Sequence, residues 1–148
     1  MTPDLVLIGC GKSKVEQRAA AKDLYTGSLF RARRRYAEAS GAPWRIISAL
    51  HHVLHPDEEV DPYDWTIRDV KRQRTVYGDA VGRWASRCWM MLSDDADLYG
   101  WHHIELHIGA GYALPMLRSA PKAYIITTPL ATLQIGEQLR WYREAMEG

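Results

Sequence analysis

The chain has 148 residues, a net charge of +1 and two cysteines. This length fits a single domain, residues 1–148, that can bury roughly 68–70% of the surface of its unfolded chain. The near-neutral charge excludes a global field that would attract nucleic acid or a membrane, so any such attraction must come from a local patch. Two cysteines far apart in the sequence favour a reduced, cytoplasmic protein over a disulfide scaffold. No apolar run approaches the roughly 20 residues that span a bilayer, so we expect neither a transmembrane segment nor, at the short run from Leu5, a signal peptide.

The first predicted element is a strand over residues 5–8 that ends in a glycine-rich, cationic turn. Four apolar residues in a row are typical of a strand buried on both faces. The glycines of the turn permit backbone angles that bring N–H groups close to a ligand. We therefore interpret the turn as an anion site at the carboxyl edge of a parallel sheet. Its residues are Gly9, Cys10, Gly11, Lys12, Ser13 and Lys14.

This turn has three alternative interpretations besides an anion site. A nucleotide P-loop is excluded, because that motif would need its first glycine at Val6, inside the strand. A plain strand-to-loop turn with solvated lysines remains an alternative. A nucleophilic Cys10 is another, which Lys12 and a nearby helix N-terminus would support.

Residues 28–40 predict the first long helix, with Ser28 as its N-cap and Gly41 as its stop. Its four arginines fall within residues 31–35 and are interpreted as a solvated face, with a phosphate track as the alternative. A strand is predicted over residues 44–48. Residues 49–64 then form a long loop punctuated by prolines, and loops of this length are usually functional.

A capping box at residues 66–69 opens the next predicted helix, which runs to about residue 92 with a break near Gly78 or Gly82. Residues 93–100 are acidic and are predicted to be a loop. The residues of this helix that recur at helical spacing are expected in the core, with Cys88 as a buried small hydrophobe. They are Val81, Trp84, Ala85, Cys88 and Met91.

The last third of the chain is predicted to contain two strands and two helices in alternation. Strands are predicted over residues 104–108 and 123–127, and helices over 114–120 and 137–146, the latter burying Leu139, Tyr142 and Met146. Alternating strands and helices predict an α/β domain: three layers, with a mainly parallel sheet of about four strands and helices on both faces. The loops that leave the carboxyl ends of such strands form the ligand crevice. Four loops meet there in this prediction: residues 9–14, 48–64, 109–112 and 127–136.

These loops carry a resemblance that spans nearly the whole chain except residues 73–101. The chain resembles a bacterial and phage family of unknown function, number sixty-eight eighty-four, from which it departs at residues 50–54, where Leu-His-His-Val-Leu replaces a Lys-Tyr-Gly-Leu-like run. The shared motifs are Cys10-Gly11-Lys12, Ala21-Lys22-Asp23-Leu24-Tyr25-Thr26 with Leu29-Phe30, Pro43-Trp44 to Ser48-Ala49, Pro56-Asp57-Glu58, Pro62-Tyr63-Asp64-Trp65-Thr66 and Gly136-Glu137-Gln138-Leu139-Arg140-Trp141.

A fainter resemblance links the run from Ser48 through Pro56-Asp57 to Pro62-Tyr63 with the peroxide-stress YaaA family. That family is associated with DNA binding. The resemblance therefore implies a connection with nucleic acid or a nucleobase, and the closer family has no settled activity to carry over.

Several loop residues could carry the chemistry. Lys12, Ser13 and Lys14 could hold a phosphate or carboxylate, and Tyr25 and Tyr63 could stack on a base. Asp23, Asp57 and Asp64 are the candidate catalytic carboxylates, as a general base or to hold a sugar hydroxyl. The structural alternatives are that Asp23 and Asp57 cap turns and that Tyr63 is a core lid. The other candidate ligand-binding residues are Cys10, Gly11, Ser48, His51, Gly111, Tyr112 and Gln138.

Two histidine clusters invite a metal interpretation, at residues 51–55 and 102–107. Zinc needs three or four convergent ligands. If residues 103–107 form a strand, His103 and His107 share a face but lie about 13 Å apart, too far for one ion. We therefore expect no metal and no cofactor.

Three hypotheses about function follow. The first is an enzyme that acts on a nucleotide, nucleoside or nucleobase, including a base in DNA, by hydrolysis or transfer at the glycosidic bond. The second is a non-catalytic DNA- or nucleotide-binding protein that uses the arginine face. The third is a phage-type protein-interaction factor with Trp65 and Trp101 in an exposed patch. The first is preferred, with no membrane partner and with the oligomeric state left open.

Overall fold

The computed structural model describes residues 2–74, 76 and 78–147. Five strands form one sheet in the order β4-β3-β1-β6-β7, and two short strands, β2 and β5, form an antiparallel ribbon. The strands are β1 Leu5–Gly9, β2 Ala19–Ala20, β3 Trp44–Ser48, β4 His52–Leu54, β5 Glu59–Val60, β6 His103–His107 and β7 Ile125–Thr127. The helices are α1 Ala21–Leu24, α2 Ser28–Ala39, α3 Ile67–Arg72, α4 Ala80–Tyr99, α5 Ala110–Ser119 and α6 Ile135–Glu147.

The predicted fold class is confirmed, with one strand more than expected in the sheet. Strand β1 pairs in parallel with β3 and β6, and β6 pairs in parallel with β7. The additional strand, β4, turns back antiparallel beside β3 from within the predicted 49–64 loop. It was missed because three residues are too few to display an alternation of apolar and polar side chains.

Helices cover the two faces of the sheet. Helix α2 packs against β1 and α6, and α4 packs against α3, α5 and β4. The side chains of β1 alternate between two core clusters: Leu5 and Leu7 join the side of α4 and α5, while Val6 and Ile8 join the side of α1 and α2. The central strand is therefore buried on both faces, as its unbroken apolar run predicts.

The ends of several helices differ from the predictions. Helix α2 has Gly27 rather than Ser28 as its N-cap, while the predicted stop is confirmed, since Gly41 has a φ of 75°. The capping box of Thr66 and Asp69 is confirmed. Helices α5 and α6 begin before their predicted starts, at Ala110 and Ile135.

The prediction of an acidic loop over residues 93–100 is wrong. Helix α4 continues to Tyr99 and ends at Gly100, whose φ is 68°. Leu92 and Ala96 lie four positions apart and are both buried, so they hold this end of the helix against the core. An amphipathic helix accommodates the aspartates of this segment on its other sides. Met91, expected in the core, is exposed, and Trp89 is buried in its place.

The other core predictions are confirmed in part. Trp84, Ala85 and Cys88 are buried, and burial raises the pKa of the Cys88 thiol, so it stays protonated. Tyr142 is buried, but Met146 on the same helix is exposed. Among the described residues, no helix has both the length and the apolar character needed to cross a bilayer.

Candidate functional site

The chain leaves β1 and β6 toward opposite faces of the sheet. After β1 it reaches α2 on one face, and after β6 it reaches α5 on the other. In a parallel sheet such a divergence opens a crevice at the carboxyl ends of the two strands. At this position Cys10 and Tyr112 lie together, with their Sγ and Oη atoms 3.7 Å apart, and we refer to the position below as the crevice.

Gly9 allows the two loops to approach each other. A Cβ atom on Gly9 would lie 3.1 Å from Cγ2 of Ile108 and 3.2 Å from Nη1 of Arg33. Both distances are tighter than most contacts of a real Cβ, so the close approach here favours glycine.

Three hydroxyl groups meet at the same edge of the sheet, and we call Tyr25, Ser48 and Tyr63 the hydroxyl cluster. The Oη of Tyr63 is 2.6 Å from that of Tyr25 and 2.7 Å from Oγ of Ser48. Burial raises the pKa of both tyrosines, which keeps them neutral. Tyr25 is only 2% exposed, so it cannot stack on a base as expected. Tyr63 is partly exposed and also contacts the ring of His51, at 5.2 Å between centroids.

Lys14 lies over the hydroxyl cluster. Its Nζ is 4.3 Å from the ring centroid of Tyr63 and donates a hydrogen bond to the carbonyl oxygen of Lys12 at 3.0 Å. Desolvation lowers the pKa of Lys14, and the charge of the nearby Asp64 opposes that shift. Lys12 and Ser13 are themselves exposed, so Lys14 is the lysine of the turn that faces the crevice.

Arg33 approaches the same turn from beneath. It is only 5% exposed, and its Nη1 donates to the carbonyl oxygen of Gly9 at 3.4 Å. Its guanidinium lies beside the Tyr142 hydroxyl, and Nε has no hydrogen-bond partner. Desolvation lowers the pKa of Arg33, opposed by Tyr142. Within the described part of the chain, no carboxylate oxygen lies within 4.0 Å of Arg33 or Lys14.

The expectation of a solvated arginine face on α2 is therefore wrong for Arg33. Helix α2 has two buried sides, because Phe30 and Ala37 face the sheet while Leu29 and Tyr36 face α6. Arg33 shares the helical phase of Phe30 and Ala37, at spacings of three and four, and so turns inward.

The three candidate carboxylates are not brought together. Asp23 pairs with Arg34 and Asp57 pairs with Lys22, each at 2.7 Å on the protein surface. Asp64 is exposed, and it is the candidate carboxylate whose charge acts on Lys14.

Two further predicted residues serve packing or local structure. Nε2 of Gln138 donates to the carbonyl oxygen of Leu133 at 2.8 Å, near the start of α6. Gly111 brings α5 close to α3, because a Cβ there would lie 3.2 Å from Cγ2 of Ile67.

The match to a family model covers residues 5–144 and is described as a family of unknown function, DUF6884. The chain belongs to this family. No curated protein and no solved structure matches it. The family match spans both the crevice and the helices behind it, so the whole described fold is that of a DUF6884 domain.

The DUF6884 domain also holds a polar group of residues that the sequence interpretation missed. His103, Glu105 and His107 occupy alternate positions of β6, on the side of the sheet that α2 and α6 cover. Ile104 and Leu106, between them, face the opposite side. The signal was present as an alternation of polar and apolar residues in a strand. The sequence analysis considers these histidines only as possible metal ligands.

Part of this group belongs to a row of side chains that we call the Arg33–Glu105 chain. Arg33 lies beside Tyr142, and hydrogen bonds join Tyr142 to His107 and His107 to Glu105. Nδ1 of His107 is 2.7 Å from Oη of Tyr142, and its Nε2 is 2.6 Å from Oε1 of Glu105. The Tyr36 hydroxyl donates to that same oxygen.

The direction of the hydrogen bonds follows from Glu105, because an ionised carboxylate can only accept. His107 therefore donates from Nε2 to Glu105, and the Tyr36 hydroxyl donates to the same oxygen. Burial acts to raise the pKa of Glu105, but the hydrogen bonds from His107 and Tyr36 outweigh it and hold that pKa below its usual range. A carboxylate in mid-strand is thus kept in its charged form on the side of the sheet that also buries Arg33.

The remaining expectations concern histidines and tryptophans. The rings of His51 and His52 turn to different partners, Tyr63 and Trp84. Among residues 2–74, 76 and 78–147, no three His, Cys, Asp or Glu side chains come together to hold a metal ion. Trp101 is 4% exposed and lies under Arg45, so the expected exposed aromatic patch is wrong at that position.

Proposed function

We propose that this DUF6884 domain binds a nucleotide or nucleoside at the carboxyl edge of its sheet and acts on the glycosidic bond, as a hydrolase or a transferase. The observation that carries the proposal is a pair of cations at the 9–14 turn: Lys14 belongs to the turn, and Arg33 donates from α2 to the carbonyl oxygen of Gly9. Neither has a carboxylate partner within 4.0 Å in the described chain. A desolvated cation without a counter-ion is costly. A phosphate bound beside the partly exposed Lys14 would supply that counter-ion, and the buried Arg33 would act on it through the turn.

The groups around these cations suit the rest of such a ligand. The exposed part of Tyr63 offers a ring, and His51 and Tyr112 offer polar edges beside it. In this proposal Asp64 acts as a general base or binds a sugar hydroxyl. In this assignment Tyr25 and Ser48 orient Tyr63 through the hydroxyl cluster and do not touch the ligand.

A binding and turnover panel tests the proposal. Nucleosides, nucleoside monophosphates and short DNA oligonucleotides are titrated by calorimetry, and released base is measured by chromatography. Lys14→Met should weaken binding of a monophosphate about tenfold, since a charge-assisted hydrogen bond is lost, and leave the nucleoside less affected. Lys22→Met, which removes a surface lysine paired with Asp57, is the matched control.

Asp64→Asn separates binding from chemistry. It should keep the affinity for the monophosphate and abolish base release. No binding across the panel, or equal effects of Lys14→Met and Lys22→Met, would refute the proposed site. Binding without base release from any substrate would refute the enzymatic part.

Non-catalytic binding of a nucleic-acid strand is the second candidate, and one surface favours it. A groove of about 1340 Å³ runs along α4 and opens beside the carboxyl end of β3. Its lining includes Arg74, Arg83, Arg87 and Trp65, a combination of cations and a ring that suits a backbone with unstacked bases. The predicted phosphate track on α2 has no such combination, since Arg33 is buried and Arg34 is paired with Asp23.

Salt dependence distinguishes this candidate. Anisotropy of a labelled single-stranded oligonucleotide should show affinity that falls steeply with salt, and Arg87→Glu should reduce it several-fold. Arg35→Glu changes an exposed arginine of α2 by the same charge and should have little effect. Equal losses in both variants would indicate non-specific attraction and remove the groove from consideration.

A further inference from the structure

A second groove lies on the α6 side of the sheet, over β6 and β7, and we call it the β7 groove. It has a volume of about 540 Å³ and is lined by Tyr36, Glu105, Thr127, Thr128, Pro129 and Trp141, among others. Strand β7 is at the edge of the sheet, and its Ile125 is 59% exposed. The volume is within the range of small-molecule sites.

A carboxylate with an unused oxygen lies at the base of this groove. Glu105 is 9% exposed. Its hydrogen bonds from Tyr36 and His107 both reach Oε1, and Oε2 accepts none from the described residues. No lysine or arginine nitrogen of those residues lies within 4.0 Å of it.

The charge of Glu105 follows from its own contacts. It accepts on Oε1 from the Tyr36 hydroxyl and from Nε2 of His107, so it is the acceptor in both of its hydrogen bonds within the described residues. An anionic carboxylate satisfies that role, and it leaves Oε2 as a further acceptor for a donor that arrives from outside.

Aromatic rings form the walls next to this carboxylate. The ring centroids of Tyr36 and Trp141 are 5.3 Å apart at an interplanar angle of 56°, and both side chains are partly exposed. A carboxylate beside such rings is a favourable setting for an organic cation, which gains both the ion pair and cation–π attraction. A hard metal ion would need more oxygen ligands than one carboxylate and two threonine hydroxyls supply.

We propose that the β7 groove is a second ligand site that binds a guanidinium or primary ammonium group, with Glu105 as its counter-ion and Tyr36 and Trp141 as its walls. The hydroxyl group of Thr128 is an acceptor for one of its remaining N–H groups. The Oγ1 of Thr127, which is 3.1 Å from Nε2 of His103, supplies a further lone pair. The site is independent of the proposed function at the carboxyl edge. The cation comes either from a free alkylguanidine or alkylamine or from an arginine or lysine side chain of another polypeptide.

Titration of the full chain tests this site. Agmatine and butylamine are titrated by calorimetry, with pentanol and butyrate as neutral and anionic probes of similar size. Saturable binding of the two cations, and of neither control, is expected. Glu105→Gln should weaken the cations at least about tenfold, because the ion pair is lost. Glu137→Gln, an exposed glutamate at the start of α6, should leave the affinity unchanged.

A second measurement uses the wild-type protein, so it tests the proposal even if Glu105→Gln fails to fold. The indole N–H signal of Trp141 in the wild-type protein, assigned with Trp141→Phe, should shift on addition of agmatine and not of butyrate. Tighter binding of an arginine-containing peptide than of agmatine would assign the cation to a polypeptide, and the reverse to a free small molecule. Absence of any saturable binding, or equal binding of pentanol and agmatine, would overturn the proposal.

Discussion

Strand β6 separates two halves of the core that are built on different principles. On the side of α4 and α5, Ile104 and Leu106 join a cluster of apolar side chains. On the side of α2 and α6, Glu105 and His107 take part in the Arg33–Glu105 chain. An apolar contact tolerates small rotations of its neighbours, whereas each hydrogen bond in a buried chain requires its partner in place. The first half therefore supplies general stability, and the second holds specific side chains in fixed orientations.

The largest effect is expected on the apolar side. Leu106→Ala should lower the free energy of unfolding by about 3 kcal/mol, because it removes buried methyl groups and leaves a cavity. Urea denaturation measures it, and the loss should be similar at acidic and neutral pH. Ile125→Ala, at an exposed position of the neighbouring strand, should cost much less. A similar loss in both variants would contradict the assignment of this side to the dry core.

The polar side should respond differently to pH. Glu105→Gln should cost about 2 kcal/mol near neutral pH, since a charged acceptor of two hydrogen bonds is lost. The pKa of Glu105 is lower in the folded protein than its ordinary value of 4.5. Its stabilisation is therefore complete above that ordinary value and is lost as the pH falls through the folded pKa.

Unfolding free energies of wild type and Glu105→Gln across the acidic range test this. The two curves should converge as the pH falls, whereas Leu106→Ala should run parallel to wild type. Parallel behaviour of Glu105→Gln would mean that the carboxylate is not the charged end of the chain.

A substitution at the junction between the two halves should lower the stability by a similar amount. Gly9→Ala should cost about 2 kcal/mol, since the new Cβ must displace Ile108 and the guanidinium of Arg33. Gly136→Ala is the matched control: its Cβ meets nothing within 4 Å and it lies within α6, so it should add up to about 1 kcal/mol. Chemical denaturation of both variants measures whether each change lowers or raises the free energy of unfolding. A stabilising Gly9→Ala would show that the loops do not need this close approach.

The smallest effect concerns a single hydrogen bond at the end of the chain. Tyr36→Phe removes one of the two donors to Glu105 and should cost about 1 kcal/mol. It should also raise the pKa of Glu105, because that hydrogen bond favours the ionised form. NMR titration of the Glu105 carboxyl carbon measures the shift. An unchanged pKa would assign the low value to His107 alone.

The sequence predicted the parts of the fold that depend on local pattern. The apolar run of β1, the strand at residues 44–48 and the capping box at Thr66 follow from neighbours a few positions apart. Part of the candidate site could be predicted for the same reason, since loops at carboxyl ends meet by rule, as Cys10 and Tyr112 do. The predictions failed where a distant contact decides, as in the acidic end of α4, which Leu92 and Ala96 hold against the core.

By itself, the sequence determined an α/β domain with a cationic glycine turn after its first strand, because periodicity and glycine act over a few residues. Only the tertiary structure decided that Arg33 turns inward and that Glu105, 69 positions from Tyr36, accepts its hydroxyl. The rotation of α2 about its axis decides both, since a turn of one residue would carry Arg33 to the solvent. That rotation depends on the packing of α2 both on the sheet and on α6, so it cannot be predicted from the sequence of α2 alone.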